Sequence, residues 1–363
     1  MASESSPPAG PSNPATPRRR PTIREVARRA GVSHQTVSRH LKGDTTVNEQ
    51  LAATIQDAIE ALDYRPNLVA RAMRNHRTGR LAVLLPPGSA ISSLEILSGA
   101  KEIADAGEYV LEVVTVSGSA EMRDRRALEL RDSRLFEGVL ALTSLSDLPQ
   151  PDDARVPLVT MPLYDEAMRG IGALASAGPE HEIISRLAGM GHRRFLHLAG
   201  NYAHAGAVRR RDMYLQTIEE LDLESAGVVD CGWDGDAARR AVVDLPADSG
   251  ITAIIAANDI LATAAVSGAI RRGWNVPEEL SITGWDDTRV AAVTTPSMTT
   301  VAVHHAELGR RLMRHLLDVV ASRRRGADDA SDPAPSPLED DWRLAEVIWR
   351  ESTGPAPQTP PAR

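Results

Sequence analysis

The chain has 363 residues and a formal net charge of −8 at pH 7, with 49 Asp and Glu against 41 Lys and Arg. It is 42% hydrophobic but only 3% aromatic, so aliphatic side chains must fill its core. One cysteine, Cys231, excludes an internal disulfide, and no apolar run is long enough to span a bilayer. Two or three globular domains in a reducing compartment are expected.

Residues 1–20 are rich in Pro, Ser and Ala, with Arg18, Arg19 and Arg20 at the end. They lack the apolar stretch of a secretory signal and read as a disordered tail. Thr22 and Glu25 then form a T-x-x-E capping box. Ile23, Val26, Ala27 and Ala30 recur at helical spacing, and Gly31 suits the left-handed residue that ends a helix. Ser33 caps a second helix whose Val37 and Leu41 face inward. His34, Gln35, Thr36, Ser38 and Arg39 fall in its first turns. Two short helices joined this way are a helix-turn-helix. The N-terminal residues of its second helix reach base edges in the major groove. Gln can pair with adenine and Arg with guanine. An ordinary two-helix surface motif is the bland alternative.

Asn48 to Leu62 reads as a third amphipathic helix, with Leu51, Ile55, Ala58, Ile59 and Leu62 on one stripe. Residues 18–80 hold 13 Arg and Lys against 6 Asp and Glu, so the remainder of the chain is strongly acidic. A basic head on an acidic body fits a phosphate-binding module joined to a core that avoids DNA.

From residue 81 the pattern alternates strand and helix. Strands are expected near 81–85, 109–116, 138–142, 157–161, 194–198, 227–230, 252–256, 280–283 and 298–303. Helices are expected near 95–106, 121–133, 179–190, 208–221, 236–245, 259–272 and 306–322. Such alternation makes parallel sheets covered on both faces, and nine strands suit two sheets better than one. Residues 323–337 read as a polar, Pro-rich linker before a last strand at 343–349. In open α/β sheets ligands bind beyond the carboxyl ends of strands. Asn201, Trp233, Asn258 and Asp286 each follow such an end. Together they suit a hydroxyl-rich or heterocyclic ligand.

Several blocks carry a family resemblance. The segment Asp63-Tyr64-Arg65-Pro66-Asn67-Leu68-Val69-Ala70-Arg71-Ala72-Met73-Arg74 resembles the Y-x-P-N-x-x-A-R-x-L hinge of the lactose-repressor/galactose-repressor family of bacterial transcription regulators. Gly191-His192-Arg193-Arg194, Ala256-Ala257-Asn258-Asp259, Val276 to Asp287, Pro296 to Val301 and Arg350-Glu351-Ser352-Thr353 resemble its core blocks in order. The resemblance runs from Thr22 to about Gly354. It implies an all-α helix-turn-helix head and hinge helix, then an α/β core like type I periplasmic binding proteins, with two doubly wound parallel-sheet subdomains.

The implied domains are a tail (1–20), the head (21–65), a hinge and linker (66–80), an effector-binding and dimerisation core (81–350) and a disordered tail (351–363). Within the core, the N-subdomain takes about 81–191 and 303–322. The C-subdomain takes about 192–302 and 341–350, and 323–338 is a flexible insert. The resemblance further implies hinge contacts to DNA from Asn67, Ala70, Arg71, Met73 and Arg74. Met73 stands where a leucine wedge is usual, and linker packing is its alternative. Phosphate contacts are expected from Arg24, Arg71, Arg74 and Arg77. Asn258 and Asp286 match the family's hydroxyl-binding amide and carboxylate. Arg210 matches its pocket arginine, Trp233 an aromatic beside the ligand, and His305 a side chain from the other subdomain.

The chain also departs from the family. The usual N-P-F-F segment after the first strand is replaced by Ala90, Ile91, Ser92 and Ser93, and the usual aspartate by Ala175 or Ser176. The N-subdomain is therefore expected to lack its usual ligand groups. No G-x-S-x-G, H-E-x-x-H, P-loop or paired-Cys metal motif appears, which argues against an enzyme, a cofactor or a metal.

The reading is a cytoplasmic, dimeric, sequence-specific repressor. It binds a pseudo-palindromic double-stranded operator under control of a small polar effector, with no membrane partner. The alternatives are an effector-independent or corepressor-dependent regulator and a small-molecule binding protein without DNA function.

Overall fold

A computed structural model describes residues 21–41, 47–64, 77–88, 90–146, 148, 156–246, 248–325 and 343–358. The hinge positions Asn67, Ala70, Arg71, Met73 and Arg74 lie outside them, as do Arg18, Arg19, Arg20 and most of the expected insert. The chain divides into two units, residues 1–77 and 78–363.

The first unit holds three helices, α1 (Ile23–Ala30), α2 (His34–His40) and α3 (Glu49–Ala61). Their entries follow the local chemistry. The Thr22 N–H donates to Glu25 Oε2 at 2.6 Å, closing the capping box. Gly31 adopts φ 68°, and the Val32 N–H returns to the Ala27 carbonyl. That positive φ is costly for most residues and nearly free for glycine. Ser33 Oγ accepts the Thr36 N–H at 3.1 Å, and Asn48 Oδ1 accepts that of Leu51. Val26, Ala27, Val37, Ile55 and Ala58 form the buried centre, flanked by Leu41, Leu51, Ile59 and Tyr64.

The second unit is built on two four-stranded parallel sheets. One has the order β2-β1-β3-β4, from β1 (Arg80–Leu85), β2 (Val110–Thr115), β3 (Gly138–Thr143) and β4 (Leu158–Tyr164). The other has the order β6-β5-β7-β8, from β5 (Arg194–Ala199), β6 (Glu224–Asp230), β7 (Ala253–Ala256) and β8 (Ser281–Thr283). A short antiparallel pair, β9 (Thr300–Val303) and β10 (Ala345–Ile348), joins them, with a bridge from Thr283 to Thr299. All ten expected strands are present, with ends shifted by a few residues.

In both sheets the order reverses beside the first strand, which opens a crevice between β1 and β3 and another between β5 and β7. Helices α4 (Ile91–Ala106), α5 (Ala120–Asp132) and α10 (His305–Arg325) belong with the first sheet. Gly99 and Gly309 let α4 and α10 cross closely, since a Cβ on either would strike the other helix's backbone. Helices α6 (Gly178–Gly189) and α7 (Ala205–Glu220) pack on one face of the second sheet, and α8 (Gly235–Val243) and α9 (Asp259–Arg271) on the other.

Two boundaries differ from the sequence expectation. Ile183, Ile184 and Leu187 of α6 pack on Phe195, Tyr214 and Ile255, so the chain enters the second subdomain before Gly178 rather than after Gly191. The hydrophobic face of α10 continues through Val320, and the helix runs on to Arg325, inside the stretch read as linker. Among the described residues no helix is long and apolar enough to cross a membrane.

Candidate functional site

On the head, α2 buries Val37 completely and turns His34, Gln35 and Arg39 outward, with Thr36 and Ser38 half-buried. Thr22 and Ser33 serve as caps, and Arg24, Arg28 and Arg29 of α1 are exposed. A helix anchored by one inward valine, with amide, imidazole and guanidinium groups on its outer first turns, offers both donors and acceptors to a base edge.

In the core, the loops after β5, β6, β7 and β8 carry the expected polar residues. Arg210, on α7, is the centre. Its guanidinium carbon lies 4.7 Å from the Trp285 ring centroid and 5.8 Å from that of Trp233. Its Nε donates to the Gly206 carbonyl at 3.1 Å. One terminal nitrogen is buried without an acceptor, and no carboxylate among the described residues forms an ion pair with it. Asp286 faces it from the end of β8 in a positive-φ conformation (103°) that an aspartate seldom adopts. Its side chain remains open to solvent, yet crowding by the surrounding protein pushes its carboxyl up to about 6 against the pull of Arg210.

Asn258 caps α9, its Oδ1 accepting the Leu261 N–H at 2.9 Å, which leaves its amide N–H donors without a protein acceptor among the described residues. Trp233 also sits at positive φ (69°), edge-on to His204 at 5.8 Å. A Cβ at Gly200 would overlap its ring, so the glycine makes room for the indole.

Two expected residues are otherwise engaged. Asn201 is exposed and spends its Oδ1 on the Ala203 N–H in the turn after β5. His305, at the start of α10, sets its Nδ1 3.0 Å from Glu95 of α4, within the first subdomain.

Sequence reading missed the groups behind Arg210. Glu180 in the first turn of α6 and His197 on β5 are buried, with Oε1 and Nδ1 3.4 Å apart. Neither Glu180 oxygen makes a hydrogen bond, and the His197 ring meets the Ile255 backbone without a well-aligned one. Burial raises the Glu180 carboxyl well above its usual value, against the opposing pull of Arg210. Burial, then Arg210, lowers the His197 imidazole to about 3. Burial thus disfavours the charged form of both, and among the described residues no carboxylate forms an ion pair with Arg210. An acid three residues into a helix otherwise reads as ordinary capping, and gave no signal.

It also missed a wall on the first subdomain. A cavity of about 230 Å³ lies where β3 and β4 end, lined by Arg123, Thr143, Ser144, Tyr164, Asp165, Glu166 and Arg169. Although the usual segment is indeed replaced at Ala90 to Ser93, this subdomain carries polar groups of its own.

Comparison with known proteins follows the same division. Residues 22–67 match the model for bacterial regulatory proteins of the lacI family, and residues 184–353 match the periplasmic binding protein-like domain. The chain is 30% identical over 318 residues to the HTH-type transcriptional regulator CelR of Thermobifida fusca, covering 83% of this chain and 92% of that protein. The solved lac repressor dimer bound to operator and an anti-inducer shares the fold, with a TM-score of 0.61 at 19% identity, covering 93% of this chain and all of that one. A solved CelR–cellobiose complex matches with a TM-score of 0.50 at 26% identity, covering 92% of this chain and all of that one. The head with its outward polar row, the paired doubly wound sheets and these likenesses agree, and the chain belongs to the lactose-repressor/galactose-repressor family of bacterial DNA-binding transcriptional regulators.

Proposed function

We propose that the protein represses transcription as a homodimer on a pseudo-palindromic operator, and that a small polar metabolite bound in the cleft of the core sets its grip on DNA. It acts by binding, without catalysis, in the cytoplasm where its duplex lies. The head takes residues 21–65, the hinge 66–80 and the core 81–350. His34, Gln35, Ser38 and Arg39 read bases. Thr22, Ser33, Thr36 and Arg24 position the head, and Asn67, Ala70, Arg71, Met73, Arg74 and Arg77 serve the hinge.

The observation that carries the DNA assignment is the outward row on α2, since nothing else about a three-helix head requires base-reading side chains there. A single head makes too few contacts for tight, specific binding, and two-fold half-sites call for a two-fold protein. Exposed Leu94, Val110, Val113, Ile260, Val290 and Val293 supply apolar surface for a second copy to cover.

The effector assignment rests on Arg210. A buried guanidinium nitrogen without an acceptor is costly, and a ligand hydroxyl or anion relieves it. Asp286 and Asn258 would take and give hydrogen bonds on the same wall, Trp233 would cover an apolar ring face, and Asn201 and His305 would lie at the margin. The ligand of CelR in its solved complex, cellobiose, has the hydroxyl-rich chemistry such a wall accepts. Whether the effector releases DNA or favours it follows from its relative affinity for the two states.

The mass of the complex on a selected duplex, measured by light scattering, tests the assembly. Two chains per duplex are expected; one chain per duplex would refute the dimer.

A further inference from the structure

We propose that the effector carries an anionic group, a phosphate ester or a carboxylate, seated in the first-subdomain cavity between Arg123 and Arg169. The inference rests on the cleft reading above and names the class of ligand for it. The cavity opens at the carboxyl ends of β3 and β4, the place where an open α/β sheet binds ligands.

The site is built around a buried guanidinium. The side chain of Arg123 is only 8% exposed. Its Nε donates to the Ser144 carbonyl at 3.2 Å, and NH1 donates to the Gly118 carbonyl at 3.0 Å and to Glu166 at 2.8 Å. These bonds fix the plane of the fork and leave its other terminal nitrogen without a protein acceptor among the described residues. Arg123 also lies in the first turns of α5, whose amino end adds positive potential.

Arg169 supplies the second fork. Its Nε donates to Asp165 at 2.7 Å, and the terminal nitrogens remain for a ligand. Thr143 and Ser144 at the end of β3 add hydroxyls to the same lining, and Tyr164 closes it, tied through its own hydroxyl to Ser92 at 3.0 Å.

Two carboxylates also line the cavity, and their placement matters. Asp165 is consumed by its own loop. It accepts the N–H groups of Ala167 and Arg169 as well as the Arg169 Nε, which holds its carboxyl below the usual value and keeps it ionised. Glu166 meets Arg123 from outside, with a side chain 69% exposed. Each carboxylate thus occupies one edge of its arginine and aims the rest of the fork at the cavity. Planar forks of this kind match phosphate and carboxylate oxygens in pairs. In the second subdomain, His204 is held below its usual value by burial and then by Arg169, whose effect outweighs the opposing one of Asp165.

The test uses the full chain, thermal unfolding and titration calorimetry. The probes are inorganic phosphate, glucose 6-phosphate, glucuronate, glucose and cellobiose, each against sodium chloride at matched ionic strength. Phosphate at tens of millimolar is expected to raise the melting temperature above the salt control. Arg169→Gln and Arg123→Gln should each weaken anion binding about tenfold or more. Phosphate ester and sugar acid distinguish the two sources of charge. No phosphate effect beyond salt, or an effect that survives both substitutions, would overturn the proposal. If glucose or cellobiose binds as well as its charged counterparts and Asp286→Asn abolishes that binding, the cleft reading stands and the anionic class falls.

Discussion

The guanidinium of Arg210 lies 4.7 Å from the ring centroid of Trp285, and the two residues meet from different elements, α7 and the end of β8. Trp285 is nearly buried and packs with Ile183, Tyr214 and Val301, so the arginine rests on a rigid floor. This stack, the Gly206 carbonyl and the Trp233 edge hold the fork in place before any ligand arrives. Arg210→Lys keeps the charge and loses the fork and the stack. It should abolish the stabilisation given by whichever metabolite raises the wild-type melting temperature, while operator affinity without that metabolite stays within about threefold. Parallel thermal-shift and operator titrations check this; a lysine variant with a full metabolite response would refute it.

Glu180 and His197 give the core a pH signature. The raised Glu180 pKa means that its contribution is complete below about 4.5 and is lost as pH rises toward the folded value. The lowered His197 pKa means the reverse: its contribution is complete above about 6.5 and is lost as pH falls toward about 3. Between pH 4.5 and 6.5 the two slopes oppose. Glu180→Gln is therefore expected to gain on wild type in melting temperature by a margin that widens as pH rises above about 4.5. Parallel melting curves over that range would show that Glu180 is charged in the folded protein.

Asp259, at the start of α9, joins that helix to two neighbouring segments. Its Oδ1 accepts the Thr300 hydroxyl at 2.6 Å, and Oδ2 accepts the Thr288 N–H at 2.7 Å and the Thr288 hydroxyl at 3.0 Å. This ties α9 to β9 and to the loop bearing Asp286. Asp259→Ala leaves buried donors unpaired and should cost about 2–4 kcal/mol of stability, read by urea unfolding. A loss under about 0.5 kcal/mol would contradict the tie.

On the head, Ser33→Ala removes the acceptor for the Thr36 N–H and should destabilise it by about 1 kcal/mol. Arg39→Ala removes an exposed side chain without touching the buried centre. It should cost about 1–3 kcal/mol of operator binding and relax the preference at one base position, with the melting temperature unchanged. Uniform weakening across all sequences would make Arg39 a phosphate contact.

The head was legible because short helices are specified locally. The Thr22–Glu25 box, Gly31 and the Ser33 cap each act within a few residues, and each takes the expected geometry. The strands of the core were legible for a related reason: buried parallel strands such as β1 and β3 are continuous apolar runs. Legibility ended where function depends on distant partners. Glu180 meets His197 and Arg210 only because α6, β5 and α7 share a sheet face. Arg123 and Arg169 are 46 residues apart and look like ordinary surface charges until the start of α5 and the loop after β4 meet at one cavity. His305 was expected at the ligand, yet its Nδ1 serves a helix–helix contact with Glu95 that no local pattern announced.

The most direct test of the account is selection of bound sequences from random duplex DNA by the full-length protein at physiological salt. The account predicts a pseudo-palindrome with a fixed half-site spacing, whose preferred bases change with Arg39→Ala. Retention of all sequences alike, erased by modest salt and with no enriched site, would contradict it.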